Sequence, residues 1–121
     1  MPRVKLSPQA ADDIEEILNR TVATYGELAT QRYEQLLVQS LDDLAENPHR
    51  AGSTLRPEIS SIAYTYHLIH SRLNVRSSIG QVKRPRHCVL FRIRTDGIVE
   101  VGRVLHDSMA IELHVPDDFI D

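Results

Sequence analysis

The chain is poor in the residues that build several functional classes. Its one cysteine, Cys88, allows no internal disulfide and no cysteine zinc site. Tryptophan is absent, and four Tyr with two Phe are too few rings for a base-stacking platform. The five glycines are scattered singly and form no phosphate-cradling loop. No apolar run approaches the roughly 20 residues that span a bilayer. No N-terminal segment has the basic, apolar and small-residue regions of a signal peptide. A cytoplasmic chain without membrane contact is therefore expected. At 121 residues, 41% hydrophobic and 26% charged, the length suits one domain (1–121) and the composition excludes wholesale disorder.

Net charge is −3, which by itself disfavours a polyanion partner. The total hides a division. Residues 1–69 carry six Lys/Arg against ten Asp/Glu. Residues 70–106 carry eight Lys/Arg against two acids, and residues 107–121 carry five acids and no Lys/Arg. A +6 block thus lies between segments of −4 and −5. Such a block is a statement about partners, not about fold.

Val4 and Leu6 alternate with Arg3 and Lys5, the period of a short strand. Ser7-Pro8 supplies an N-cap and a first helical residue. Ala10, Ile14, Ile17, Leu18, Thr21 and Tyr25 make one buried helical stripe, and Asp12, Asp13, Glu15 and Glu16 suit the helix dipole. Gly26 ends this helix. A second helix carries Ala29, Tyr33, Leu36, Leu37, Ser40, Leu41, Leu44 and Ala45 on one face until Asn47-Pro48. Residues 47–61 read as a turn-rich connection. Residues 62–70 alternate as a strand, and 71–86 form a long hairpin loop or strand extensions. Residues 87–94 and 98–105 are strands around an Asp96-Gly97 turn. Asp107 or Ser108 would cap a short helix through Leu113, before an acidic tail, 115–121, that would fold over a basic surface or fray.

The order predicts an α+β domain with a helical hairpin covering one face of an antiparallel sheet and a short C-terminal helix. The other face would carry the basic residues. His67 and His70 would point to opposite faces of a strand, and His106 and His114 lack partners at diagnostic spacing, so no metal ligands are assigned. No catalytic residue is assigned firmly. For phosphate chemistry, Arg86 and Arg103 would hold developing negative charge and His106 would transfer a proton. The cluster Lys83, Arg84, Arg86, His87, Arg92, Arg94, Arg103 and His106 reads either as a polyanion or acidic-protein surface or as a solvated strand face.

The run Leu6-Ser7-Pro8 followed by Ala10, Asp12 and Ile14 resembles the opening of the RelE/ParE superfamily of toxins from type II toxin–antitoxin pairs. The run Arg103-Val104-Leu105-His106-Asp107-Ser108-Met109 is similar to the last strand and following turn of its ParE branch. Pro57-Glu58 before one strand, and 87–94 as the next, fit the same pattern. The resemblance covers nearly the whole chain. It implies a helical hairpin on a curved antiparallel sheet, no cofactor, and a cognate antitoxin in a hetero-oligomer. In the ParE branch it implies growth arrest by inhibition of DNA gyrase; in the RelE branch, ribosome-dependent cleavage of messenger RNA. No tyrosine follows Tyr66, so the C-terminal Tyr of many RelE-like nucleases is missing. A ParE-like, non-enzymatic toxin is therefore expected. The alternatives are a RelE-like endoribonuclease using Arg86, Arg103 and His106, and a degenerate toxin kept for binding. Lys83, Arg84, Arg92, Arg94, His106, Asp107 and Met109 are candidates for contact with target or antitoxin.

Overall fold

Ser7 fastens the first helix to the sheet. In the computed structural model, which describes residues 3–120, its hydroxyl accepts from the Ala10 N–H (2.9 Å) and donates to the Gly102 carbonyl (2.8 Å). One side chain thus caps α1 (Pro8–Tyr25) and ties it to β5 (Val99–His106). Gly26 is the whole connection to α2 (Glu27–Glu46), and its φ of +87° is open to glycine without steric cost. A one-residue link leaves the two helices antiparallel and in contact.

Beneath them lies a five-stranded sheet in the order β1-β5-β4-β3-β2, with β1 Val4–Leu6, β2 Thr54–Leu55, β3 Tyr64–His67 and β4 His87–Ile93. The α+β expectation holds, but the sheet is mixed. Neighbours from β2 to β5 run antiparallel, whereas β1 pairs with β5 in parallel. Nearly the whole chain separates β1 from β5, so no hairpin dictates its direction. The 47–61 connection contributes a two-residue edge strand.

The 62–70 alternation yields only four strand residues. At His67 the ring Nδ1 accepts from the Ile69 N–H (3.1 Å) and opens a 3-10 helix, Leu68–Asn74. His70 therefore lies outside the strand on which the alternation placed it. The rest of 71–86 is irregular as far as β4.

Leu36, Leu37 and Leu44 of α2 and Ala10 and Ile17 of α1 pack on Tyr66, Val89, Phe91, Val99, Val101 and Val104. Tyr25, read as part of the buried stripe, is 76% exposed beyond the sheet. No acid occupies the first turn of α1, so the dipole reading of Asp12 and Asp13 does not apply there. Asp43 is buried in this core. Burial pushes its carboxyl pKa up, but hydrogen bonds from Ser71 (2.6 Å), Asn74 (2.9 Å) and Gln39 (2.9 Å), with the charge of Arg50, more than offset it and hold the carboxyl below its ordinary range.

The second face of the sheet carries Arg92 and Arg103, each paired with an acid, beside an apolar patch and is not a continuous basic surface. Ala63, Leu90 and Phe119 form a separate apolar cluster there, flanked by Ile59, Ile111 and Val115. Between Arg103, opposite Leu90, and Val101, opposite Phe91, Gly102 is an extra residue in β5. A Cβ at Gly102 would lie 2.8 Å from the Phe119 ring and 2.9 Å from Pro116, so only glycine lets the tail seat here. The C-terminal segment up to Ile120 is therefore packed down and not frayed, while Asp121 lies outside the described residues. The expected short helix is reduced to a 3-10 turn, Ile111–Leu113. Asp107 and Ser108 do not cap it, because their side chains bond Arg86, His67 and His106 instead.

Two substitutions separate these layers. Leu37→Asp places an unpaired charge in the main core and should cost about 3 kcal/mol or more in urea unfolding. Phe119→Ala empties the tail's seat and should cost about 3–5 kcal/mol, with proteolysis starting in the tail. Near-wild-type midpoints would contradict the packing described.

Candidate functional site

Near the C-terminal end of β5 the sheet and helices separate and leave a cleft of about 870 Å³. One wall is α1 from Asp13 to Tyr25 with Ala29, Arg32 and Tyr33 of α2. The facing wall is the segment 81–87, and Arg103–His106, Ser108 and Met109 close the end. A smaller hollow on the outer face of α1, lined by Asp12, Glu15, Glu16, Asn19, Arg20 and Ala23, belongs to one helix alone.

Helix α1 is held to the cleft's end by Asp13. Its carboxylate receives Arg103 bidentately (2.7 and 2.9 Å) and also the backbone N–H of Val104 (3.0 Å). Short β1 leaves this part of β5 without a neighbouring strand on the edge away from β4, and the Asp13 oxygen takes the place of a strand carbonyl at Val104. The Arg103 guanidinium also donates to the His114 carbonyl (3.3 Å). Asp13 raises the Arg103 pKa above its ordinary value by hydrogen bonding.

Tyr33 joins helix to sheet deeper in the cleft. Its hydroxyl accepts from the Arg86 N–H (3.1 Å) and bonds His87 Nδ1 (2.6 Å), with the two rings edge-on. Burial pushes the Tyr33 pKa up to about 12 and His87 down to about 4, the nearby His106 adding to the second shift. At neutral pH a neutral phenol therefore meets a neutral imidazole. His106 stacks edge-on against His87 at 5.3 Å, and its Nδ1 faces the Ser108 hydroxyl (2.6 Å) and N–H (3.1 Å).

Asp107 stands just behind this end. It takes Arg86 through three contacts of 3.0–3.1 Å and His67 Nε2 at 3.0 Å. His67 Nδ1 already accepts from Ile69, so Nε2 carries the proton and donates. Arg86 first, then His67, hold the Asp107 carboxyl at about 2.

Seven of the sequence candidates gather at this end: Lys83, Arg84, Arg86, His87, Arg103, His106 and Met109 line the cleft, with Asp107 adjoining. Arg92 and Arg94 do not join them. Arg92 pairs with Glu100 (2.8 Å), stacks over the Phe119 ring (5.2 Å) and donates to the Asp118 carbonyl. Arg94 pairs with Asp96 (2.8 Å) and Glu100 (3.5 Å). Sequence reasoning missed Asp13, Arg20, Arg32 and Tyr33 as cleft residues. Tyr33 shares the spacing of the core stripe, and nothing local reveals a helix carboxylate bonded 90 residues away. Burial raises the Cys88 thiol pKa, which makes it a poor nucleophile. Among the described residues no three His, Cys, Asp or Glu side chains are grouped to hold a metal ion.

His87 generates a pH prediction. Its native pKa near 4 lies below the ordinary 6.5, so the unfolded chain takes up a proton that the native chain refuses. Stability carried by His87 is complete above pH 6.5 and is lost as pH falls toward 4. The urea midpoint should drop across that window, less in His87→Gln, and the His87 ring resonances should titrate near pH 4. A midpoint near 6.5 would contradict the buried tyrosine–histidine contact.

The family model described as ParE toxin of type II toxin–antitoxin system, parDE, matches residues 4–111. Toxin ParE1 of Mycobacterium tuberculosis, from strain CDC 1551 / Oshkosh and from strain ATCC 25618 / H37Rv, is 28% identical over 112 residues, covering 91% of this chain and 94% of the relative. The solved RelBE2 toxin–antitoxin complex of the same species contains a chain 21% identical, covering 85% of this chain and 94% of that one, with a TM-score of 0.49. On the family match, this chain belongs to the ParE toxins of type II toxin–antitoxin systems.

Proposed function

We propose that residues 1–121 act as one toxin domain that arrests growth by inhibiting DNA gyrase in the cytoplasm, and that a cognate antitoxin neutralises it in a hetero-oligomer. Family membership supports the class. The observation that favours gyrase over RNA cleavage is the state of the two candidate catalytic arginines. Arg103 is held by Asp13 and Arg86 by Asp107. A guanidinium already paired with a carboxylate is a weak stabiliser for a new phosphorane charge, because part of its field is cancelled. His106 is turned toward Ser108, within its own turn.

The RelE-like reading has one observation in its favour: Arg86, Arg103 and His106 face a common cleft. Under it, messenger RNA on translating ribosomes would be cut by the wild-type chain and spared by the double variant Arg103→Ala, His106→Ala.

The gyrase reading is tested with purified gyrase and relaxed plasmid. Supercoiling should fall as the toxin is added in molar excess, and pre-incubation with the antitoxin should restore it. Full supercoiling at large excess would contradict the gyrase target and leave the family assignment in place.

A further inference from the structure

The face of the sheet opposite the helical hairpin holds a seat of its own, centred on the bulge in β5. Gly102 has no positive φ, so the backbone does not ask for glycine there. The missing side chain provides space, since a Cβ would meet the Phe119 ring at 2.8 Å. That ring fills the hollow against Ala63 and Leu90 and is only 2% exposed. Guanidiniums surround it. Arg92 stacks over the ring at 5.2 Å and donates to the Asp118 carbonyl, with the Asp118 carboxylate at 3.4 Å. Arg103 donates to the His114 carbonyl (3.3 Å). Arg56 reaches Thr65 Oγ1 (3.3 Å), on the same face as Leu90.

The tail is held there as a bound peptide is held. It adds no strand to the sheet, and the backbone bonds described for 110–120 each span three residues of the segment itself. What fixes it is one aromatic anchor in a fitted hollow, with guanidinium donors on its carbonyls and on one carboxylate. Short recognition motifs are bound by the same combination. None of these contacts needs the covalent link to β5. Any segment that brings a ring, with acids just before it as acceptors, meets the same partners. The tether only sets the terms of exchange, because a segment held in cis has an effective concentration of about millimolar. A partner's segment enters when it binds more tightly than the tail.

We propose that this seat is a docking site for an acidic segment with an aromatic anchor from a partner protein, and that residues 114–120 of the chain occupy it until such a segment replaces them. The seat lies on the other side of the sheet from the hairpin, and the proposal does not require the gyrase or antitoxin reading.

The probe is a synthetic peptide with the sequence of residues 114–121, added to the full isotope-labelled chain. The amide resonances of Ala63, Leu90 and Gly102 should shift, with a half-point at about millimolar peptide, where it matches the tethered tail. Phe119→Ala removes the competing ring, so the full-length variant should bind the peptide at least about tenfold more tightly and gain melting temperature from it. If that variant does not fold, the wild-type titration still decides. A peptide with alanine in place of its phenylalanine should not bind. Replacing its first two acids with lysine should weaken binding at least about threefold. Gly102→Ala fills the hollow and should lose the peptide while the amides of Leu37 and Val89 stay in place. The proposal is overturned by no shift up to about 10 mM peptide, well above the tethered concentration. Equal binding of the peptide without phenylalanine, or to Gly102→Ala, overturns it as well. So does a wild-type dimer that the peptide dissociates, which would put the tail of a second copy in the seat. The supercoiling assay is untouched by any of these outcomes.

Discussion

The carboxylate of Asp13 bonds α1 to the far end of β5, and the shape of the cleft depends on it. Short β1 leaves the second half of β5 as an edge, and an edge N–H such as that of Val104 needs an acceptor. Asp13 supplies the acceptor and binds Arg103 at the same time. Ser7 makes the matching tie at Gly102. Between them these bonds fix the height of α1 above the sheet, and beyond them the helix overhangs open space. The cleft is that overhang, closed at its inner end by Tyr33 on His87.

The charge division of the chain takes on a spatial meaning in the fold. The acidic segments do not simply dilute the basic block. Asp13 from the first segment and Asp107 and Asp118 from the last neutralise Arg103, Arg86 and Arg92 in turn. What remains uncommitted on the cleft rim is a small part of the +6: Lys83 and Arg84. A patch this small suits a contact that combines apolar burial with a few charges better than one driven by net charge.

The parts of the fold that were legible in the sequence rest on local chemistry. Ser7-Pro8 starts a helix, Asn47-Pro48 stops one, and Asp96-Gly97 turns a hairpin, each through contacts a few residues apart. What was illegible depends on distant partners. The parallel direction of β1, the pairing of Thr54–Leu55 and the seating of Phe119 over Gly102 are all set by residues far along the chain. The end of β3 had a local cause, a histidine ring capping the next turn, but the alternation concealed it. The site divides in the same way. The residues from Lys83 to Arg86 and from Arg103 to Met109 meet because their strands pair in register at His87 and His106. Arg92 follows Arg86 by six residues, which along an extended strand is about 20 Å, so one basic block serves two ends of the sheet.

The central claim is that Asp13 and Arg103 act as one unit that holds α1 to β5. A double-mutant cycle in urea unfolding, with Asp13→Asn, Arg103→Gln and the pair, measures this directly. The seam described here predicts a coupling above about 1 kcal/mol, since both side chains are largely shielded and joined by two hydrogen bonds. Single costs that add to within about 0.5 kcal/mol would contradict it, and would leave apolar packing and the Ser7 and Val104 backbone ties to hold the helix over the sheet.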